Sequence, residues 1–125
     1  MAVKILIVEN SDSVARDLQN RLQNFGYQVV GFCTSDDDAI KYIETLVPEM
    51  IIMDIHLQKA NDGIRAGELI QTTYDIPVIY MTNSFGQTTL RRAAGTGPFG
   101  YIFYPFTDRQ IITTIEIAAL RNQFE

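Results

Sequence analysis

The chain has 125 residues, 46% of them hydrophobic, with fifteen Asp and Glu against ten Lys and Arg. That is one domain's length, and it supplies enough apolar side chains to bury a core without disulfide or metal staples. The net charge of −5 argues against non-specific binding to nucleic acid or an anionic membrane, because both need a basic face, and no apolar run approaches the roughly 20 residues of a membrane span.

The first apolar run, Val3–Val8 (VKILIV), runs straight into acid and so does not read as a secretory signal. Val14, Leu18, Leu22 and Phe25 then recur at helical spacing, with Gly26 as a stop. Gln28–Cys33 (QVVGFC) is a second strand. Its Cys33, the only cysteine, excludes an internal disulfide, suits a reducing cytosol and reads as a small buried hydrophobe. Ser35 is the N-cap of a second helix to Leu46, with Ala39, Ile40, Ile43 and Leu46 inward. Met50–Ile55 (MIIMDI) is the third strand, and a helix follows from Asp62 to Thr73. Pro77–Met81 (PVIYM) is the fourth strand. The helix after it, Ser84 to Ala94, has the weakest propensity, since it holds Gly86, Thr88 and Thr89 and ends in Gly95-Thr96-Gly97-Pro98. Gly100–Tyr104 (GYIFY) is the fifth strand. Thr107-Asp108-Arg109-Gln110 has the spacing of a capping box, opening a helix that buries Ile111, Ile115 and Ala118.

Most of the strand runs are nearly continuous in apolar residues rather than alternating, as in parallel strands covered on both faces. A β-α unit repeated five times, with right-handed crossovers, predicts a doubly wound α/β domain over residues 1–125. In such folds the working site lies at the carboxyl ends of the strands. The residues there are Glu9-Asn10, Thr34, Asp54, Thr82 and Tyr104. Asp54 stands out, because a carboxylate directly after a buried strand costs free energy unless it is paired or meets a cation.

Four motifs carry a family resemblance: ILIVEN (Ile5–Asn10), IIMDIHL (Ile51–Leu57) with Asp62-Gly63-Ile64 after it, IPVIYMTN (Ile76–Asn83) and GYIFYPF (Gly100–Phe106). In this order and spacing the chain resembles a receiver domain of the two-component response-regulator family, of the variety found in response regulators and in multidomain sensor kinases. The resemblance implies the strand order 2-1-3-4-5 and a signalling module rather than an enzyme. It makes Asp54 the phosphoacceptor for a phosphoryl group from a kinase histidine. It gives Glu9, Asn10, Asp54 and the backbone carbonyl of His56 to a magnesium ion. Thr82 becomes the hydroxyl that bonds the new phosphoryl group, and Tyr101 the aromatic that swings inward when Thr82 moves. Tyr104 occupies the position of the family's lysine, and the Tyr104–Pro105 bond is expected to be cis. The chemistry needs these residue types, because phosphoryl transfer to a carboxylate adds anionic oxygens to an acidic site. A hard dication and a lysine offset them.

Two of these positions depart from the family pattern. Asn10 stands where a second acid is usual, so it offers an oxygen without a charge. Tyr104 stands where lysine is usual, and a phenol is neutral at physiological pH. A pair of unit charges at about 4 Å and an effective dielectric near 20 is worth roughly 4 kcal/mol before desolvation. Both losses weaken the magnesium ion and the phosphorylated state. Two versions of the function follow: a degenerate receiver that signals by docking, and a retuned magnesium-dependent acceptor in which Asp12 reaches the ion through water. A flavin- or nucleotide-binding module would need a phosphate-cradling glycine loop, and Glu9–Ser13 has none. An aspartyl phosphatase would need an acid two residues after Asp54, where His56 stands. The ring of His56 reads as incidental, and residues 59–62 read as a solvated loop. Tyr104 either fills the volume of the lysine stem or bonds Asp54 through its hydroxyl. The expected partners are a histidine kinase or phosphotransfer protein, adjacent domains, or a second copy through the fourth helix, fifth strand and fifth helix. The expected location is the cytoplasm.

Overall fold

A computed structural model of the chain describes residues 3–83 and 86–124. Five strands and five helices alternate: β1 (Lys4–Val8), α1 (Asp12–Asn24), β2 (Gln28–Cys33), α2 (Asp36–Leu46), β3 (Met50–Asp54), α3 (Asp62–Tyr74), β4 (Val78–Thr82), α4 (Gln87–Ala94), β5 (Gly100–Phe103) and α5 (Asp108–Gln123). All strand pairs are parallel, in the order β2-β1-β3-β4-β5. The expected doubly wound fold is the one observed. No helix among the described residues is long and apolar enough to cross a membrane.

Continuous apolar runs form the central strands because both of their faces are covered. Every residue of β3 and β4 is buried. One core layer lies under α2, α3 and α4 and holds Leu6, Val8, Ile51, Met53 and Tyr80. The other lies under α1 and α5 and holds Ile5, Ile7, Ile52, Met81 and Ile102. Residues alternate between the two layers along each strand, as the pleat requires. Cys33 is buried, and burial pushes its thiol up to about 12, as expected of an inert core sulfur.

The caps expected at Ser35 and Thr107 are in place, and α1 has one that the sequence reading did not name. Ser11, Ser35 and Thr107 each accept a backbone N–H three residues on, from Val14, Asp38 and Gln110. Gly26 closes α1 at φ +91°. The Tyr104–Pro105 bond is cis.

Some boundaries differ from the sequence reading. Asp54 and Thr82 are the last residues of their strands, and Pro77, which has no N–H to give to the ladder, precedes β4. Leu46 is 38% exposed rather than inward. It lies over Gly31 at the sheet's edge, with little to cover its outer side. The fourth helix begins at Gln87 after an extended Gly86. The expected start at Ser84 lies outside the described residues.

Gly63 sets how closely α3 approaches the sheet. A Cβ there would overlap the carbonyl oxygen of Asp54. Because that atom is backbone, no rotamer change relieves the clash. Gly63→Ala should therefore destabilise the fold by about 1–3 kcal/mol, measured by urea unfolding. Gly95→Ala should fall within about 0.5 kcal/mol of wild type, because a Cβ there meets nothing closer than 3.4 Å.

Candidate functional site

The carboxyl edge of the sheet forms an open cavity of about 360 Å³ whose lining includes Glu9, Asn10, Asp54, His56, Thr82 and Tyr104. Sheet register explains the grouping. Val8 pairs with Met53 across β1 and β3, so the next residues, Glu9 and Asp54, emerge side by side. Asp54 pairs with Met81 across β3 and β4, which places Thr82 one step further along the same edge. Thr34, at the end of edge strand β2, is exposed and lies outside the lining.

Glu9 is 6% exposed and Asp54 9%. Each is held by backbone. The Ser11 N–H donates to Glu9 Oε2 at 3.2 Å, and the His56 N–H donates to Asp54 Oδ1 at 3.0 Å. Burial pushes the Asp54 carboxyl well up from its ordinary value. The adjacent Glu9 carboxyl adds to this through a shared hydrogen bond and charge repulsion, and Asp62 contributes a smaller repulsion. Only the His56 N–H acts in the opposite direction. The three ion pairs among the described residues, Arg16–Asp12, Arg21–Asp17 and Arg21–Asp108, involve neither acid.

Thr82 is buried, and its carbonyl accepts the Tyr104 N–H at 2.9 Å. The Tyr104 ring stands edge-on to Phe106, with centroids 5.4 Å apart, and is 38% exposed. Its hydroxyl makes no hydrogen bond to Asp54 among the described residues, so of the two roles read from sequence the volume-filling one matches the geometry. Tyr101 is half-buried on the face of β5 towards α4. Its ring lies 6.3 Å from that of Tyr80 and is stacked on Phe103.

Three expectations need correction. The His56 ring is not incidental, because its Nδ1 accepts the Asn61 N–H at 2.9 Å. Residues 59–62 are not simply a solvated loop. Asp62 accepts the N–H groups of Leu57, Gln58 and Lys59 at 2.7, 3.0 and 3.1 Å. Burial pushes its carboxyl up, but these N–H groups together with that of Gly63 outweigh burial and hold it below the usual range. An acid just before a glycine at a helix start was the available signal for this role. Asp12 does not line the cavity. It is two-thirds exposed and paired with Arg16 at 2.7 Å, one turn on.

Two buried carboxylates suit a hard dication. Among the described residues, however, no three His, Cys, Asp or Glu side chains converge, and Asn10 turns its NH₂ group onto the Leu57 carbonyl. A cation here would rest on Glu9, Asp54, the remaining Asn10 oxygen and the His56 carbonyl, with two formal negative charges.

The response regulator receiver domain family model matches residues 5–116. The transcriptional regulatory protein PdtaR of Mycobacterium tuberculosis is 29% identical over 118 residues, which is 94% of this chain and 57% of that protein. The phyllosphere-induced regulator PhyR of Methylorubrum extorquens is 32% identical over 83 residues, 66% of this chain and 31% of PhyR. The chain thus spans 57% and 31% of the length of these two curated relatives. The signal receiver domain of a modulated diguanylate cyclase from Desulfovibrio desulfuricans G20 superposes with a TM-score of 0.92 at 28% identity, covering 99% of this chain and 98% of that one.

The raised Asp54 carboxyl gives a stability prediction. The folded state keeps a proton that the unfolded chain releases, so stability falls as pH climbs above the ordinary carboxylate value of about 4. Asp54→Asn removes that penalty and keeps the oxygen that accepts the His56 N–H. In chelator at neutral pH the variant should be more stable than wild type by about 1–3 kcal/mol, with the difference shrinking as pH falls towards about 4 and absent below it. Denaturant unfolding across pH measures this.

Proposed function

The chain belongs to the response regulator receiver family of two-component signalling, and we propose that within it the domain works mainly by protein docking, with Asp54 a weak phosphoacceptor. Receiver domains are signalling modules that meet histidine kinases or phosphotransfer proteins. The observation that carries the proposal is the uncompensated carboxylate pair. Glu9 and Asp54 are buried together, neither is ion-paired among the described residues, and an aromatic ring rather than a lysine stands at the edge of the cavity.

The residue roles follow from this reading. An incoming phosphoryl group would meet Asp54 as nucleophile and the Thr82 hydroxyl as hydrogen-bond donor. Tyr104 can offer one hydrogen bond but no charge. A bound magnesium ion would supply the positive charge for two carboxylates that this chain offsets only through backbone N–H groups. With Asn10 in place of an acid, the set that would hold it carries less charge, and affinity falls. Much of the roughly 4 kcal/mol of a close charge pair is offset by desolvation. If about 1.5–3 kcal/mol is lost, binding weakens roughly tenfold to a hundredfold.

The docking surface on this reading is the face of α4, β5 and α5. It carries the half-buried Tyr101, the exposed Arg91 and Arg92, and the exposed Ile117 and Leu120. A kinase, an adjacent domain or a second copy fits there. The second reading, a retuned magnesium-dependent switch, is favoured by the retention of Asp54 and Thr82, both buried at the ends of adjacent strands.

Intact mass after incubation with a small-molecule phosphodonor, with and without magnesium, separates the two. The docking reading predicts little or no added phosphoryl under conditions that label an ordinary receiver. A full, magnesium-dependent gain of one phosphoryl, absent in Asp54→Asn, would establish the retuned switch instead.

A further inference from the structure

The β1–α1 and β3–α3 loops are joined by one side chain. Asn10 Nδ2 donates to the carbonyl oxygen of Leu57. A carbonyl only accepts, so this contact fixes which end of the Asn10 amide faces it. A carboxylate has no hydrogen to give and would meet the negative end of the carbonyl dipole. The contact is therefore open to Asn10 and closed to the acid that the family pattern places here.

The loop that receives this bond is otherwise closed on itself. Asp62 takes the N–H groups of Leu57, Gln58 and Lys59. The Asn61 N–H goes to His56 Nδ1, and the Gly63 N–H goes to the Ile55 carbonyl at 2.8 Å. These bonds hold the loop to its own ends. Asn10 supplies a bond across to the opposite wall of the cavity.

We infer that Asn10 is a positioning residue that sets the β3–α3 loop without a cation. Its amide makes directly the link between the two loops that a dication would otherwise make by holding acids from one and a carbonyl from the other. The inference rests on reading Glu9, Asn10, Asp54 and His56 as the cation-facing set. It does not depend on whether Asp54 is phosphorylated. Its consequence is that a partner docking at this edge meets one loop geometry with or without divalent cation.

The test is amide hydrogen exchange by NMR on Leu57, Gln58, Lys59 and Asn61, in chelator and in millimolar magnesium. In the wild type, protection should be equal in the two buffers. Asn10→Asp and Asn10→Ala should each speed exchange of these amides roughly three- to tenfold in chelator, with strand amides such as Ile51 unchanged. Magnesium should restore protection in Asn10→Asp and not in Asn10→Ala, a crossover that a purely structural role would not produce. Wild-type loop amides that gain tenfold or more protection on adding magnesium would overturn the inference. So would an Asn10→Asp loop as protected in chelator as the wild type. If Asn10→Asp loosens the strand amides too, the wild-type comparison alone decides: equal protection supports the inference and a gain overturns it. Labelling by a phosphodonor, whatever its outcome, leaves this readout unmoved.

Discussion

Two carboxylates sit side by side at the carboxyl edge of the sheet, each more than nine-tenths buried. The register of β1 against β3 makes this unavoidable, since Val8 opposite Met53 brings Glu9 opposite Asp54. In a low-dielectric setting two like charges this close cannot both be fully ionised without a compensating group. Backbone N–H groups supply part of the compensation, from Ser11 to Glu9 and from His56 to Asp54. The rest is left for whatever the site meets.

Much of the surrounding structure serves to hold those N–H groups still. Gly63 lets α3 come against the Asp54 backbone, where a methyl group would not fit. Asp62 collects three N–H groups of the intervening loop, and the His56 ring takes a fourth from Asn61. The loop carrying the His56 N–H is therefore anchored at both ends. On the opposite wall, Tyr104 is placed by a bond from its backbone to Thr82 and by its ring against Phe106. That wall gives shape without positive charge. On the proposed reading, this arrangement keeps the scaffold of a phosphoacceptor without the positive charge that would aid acceptance, and signalling rests mainly on docking.

The sheet was readable from sequence because buried parallel strands leave a plain mark: VKILIV, MIIMDI and PVIYM have no alternation, and the polar residue that follows each run names the working edge. The caps at Ser35 and Thr107 were readable because they depend on one side chain and one backbone group three residues on. Features that depend on neighbours distant in the chain were not readable. The outward turn of Leu46 follows from its place over Gly31 on an edge strand, which periodicity alone does not reveal. The His56 ring looked incidental because its partner, the Asn61 N–H, exists only in the folded loop. Asp12 looked available to the site because it is near Glu9 in sequence, yet α1 turns it outward to Arg16. Asn10 was legible as a missing charge but not as a new donor, since the Leu57 carbonyl lies 47 residues away.

The central claim is that Asp54 shares a buried site with Glu9 and lacks a local positive charge. The most direct measurement is the pH titration of the Asp54 side-chain carboxyl by carbon-13 NMR in cation-free buffer. The account predicts a midpoint well above the ordinary carboxylate value of about 4. A midpoint at or below that value would show that the charge is already compensated within the chain, and would contradict it.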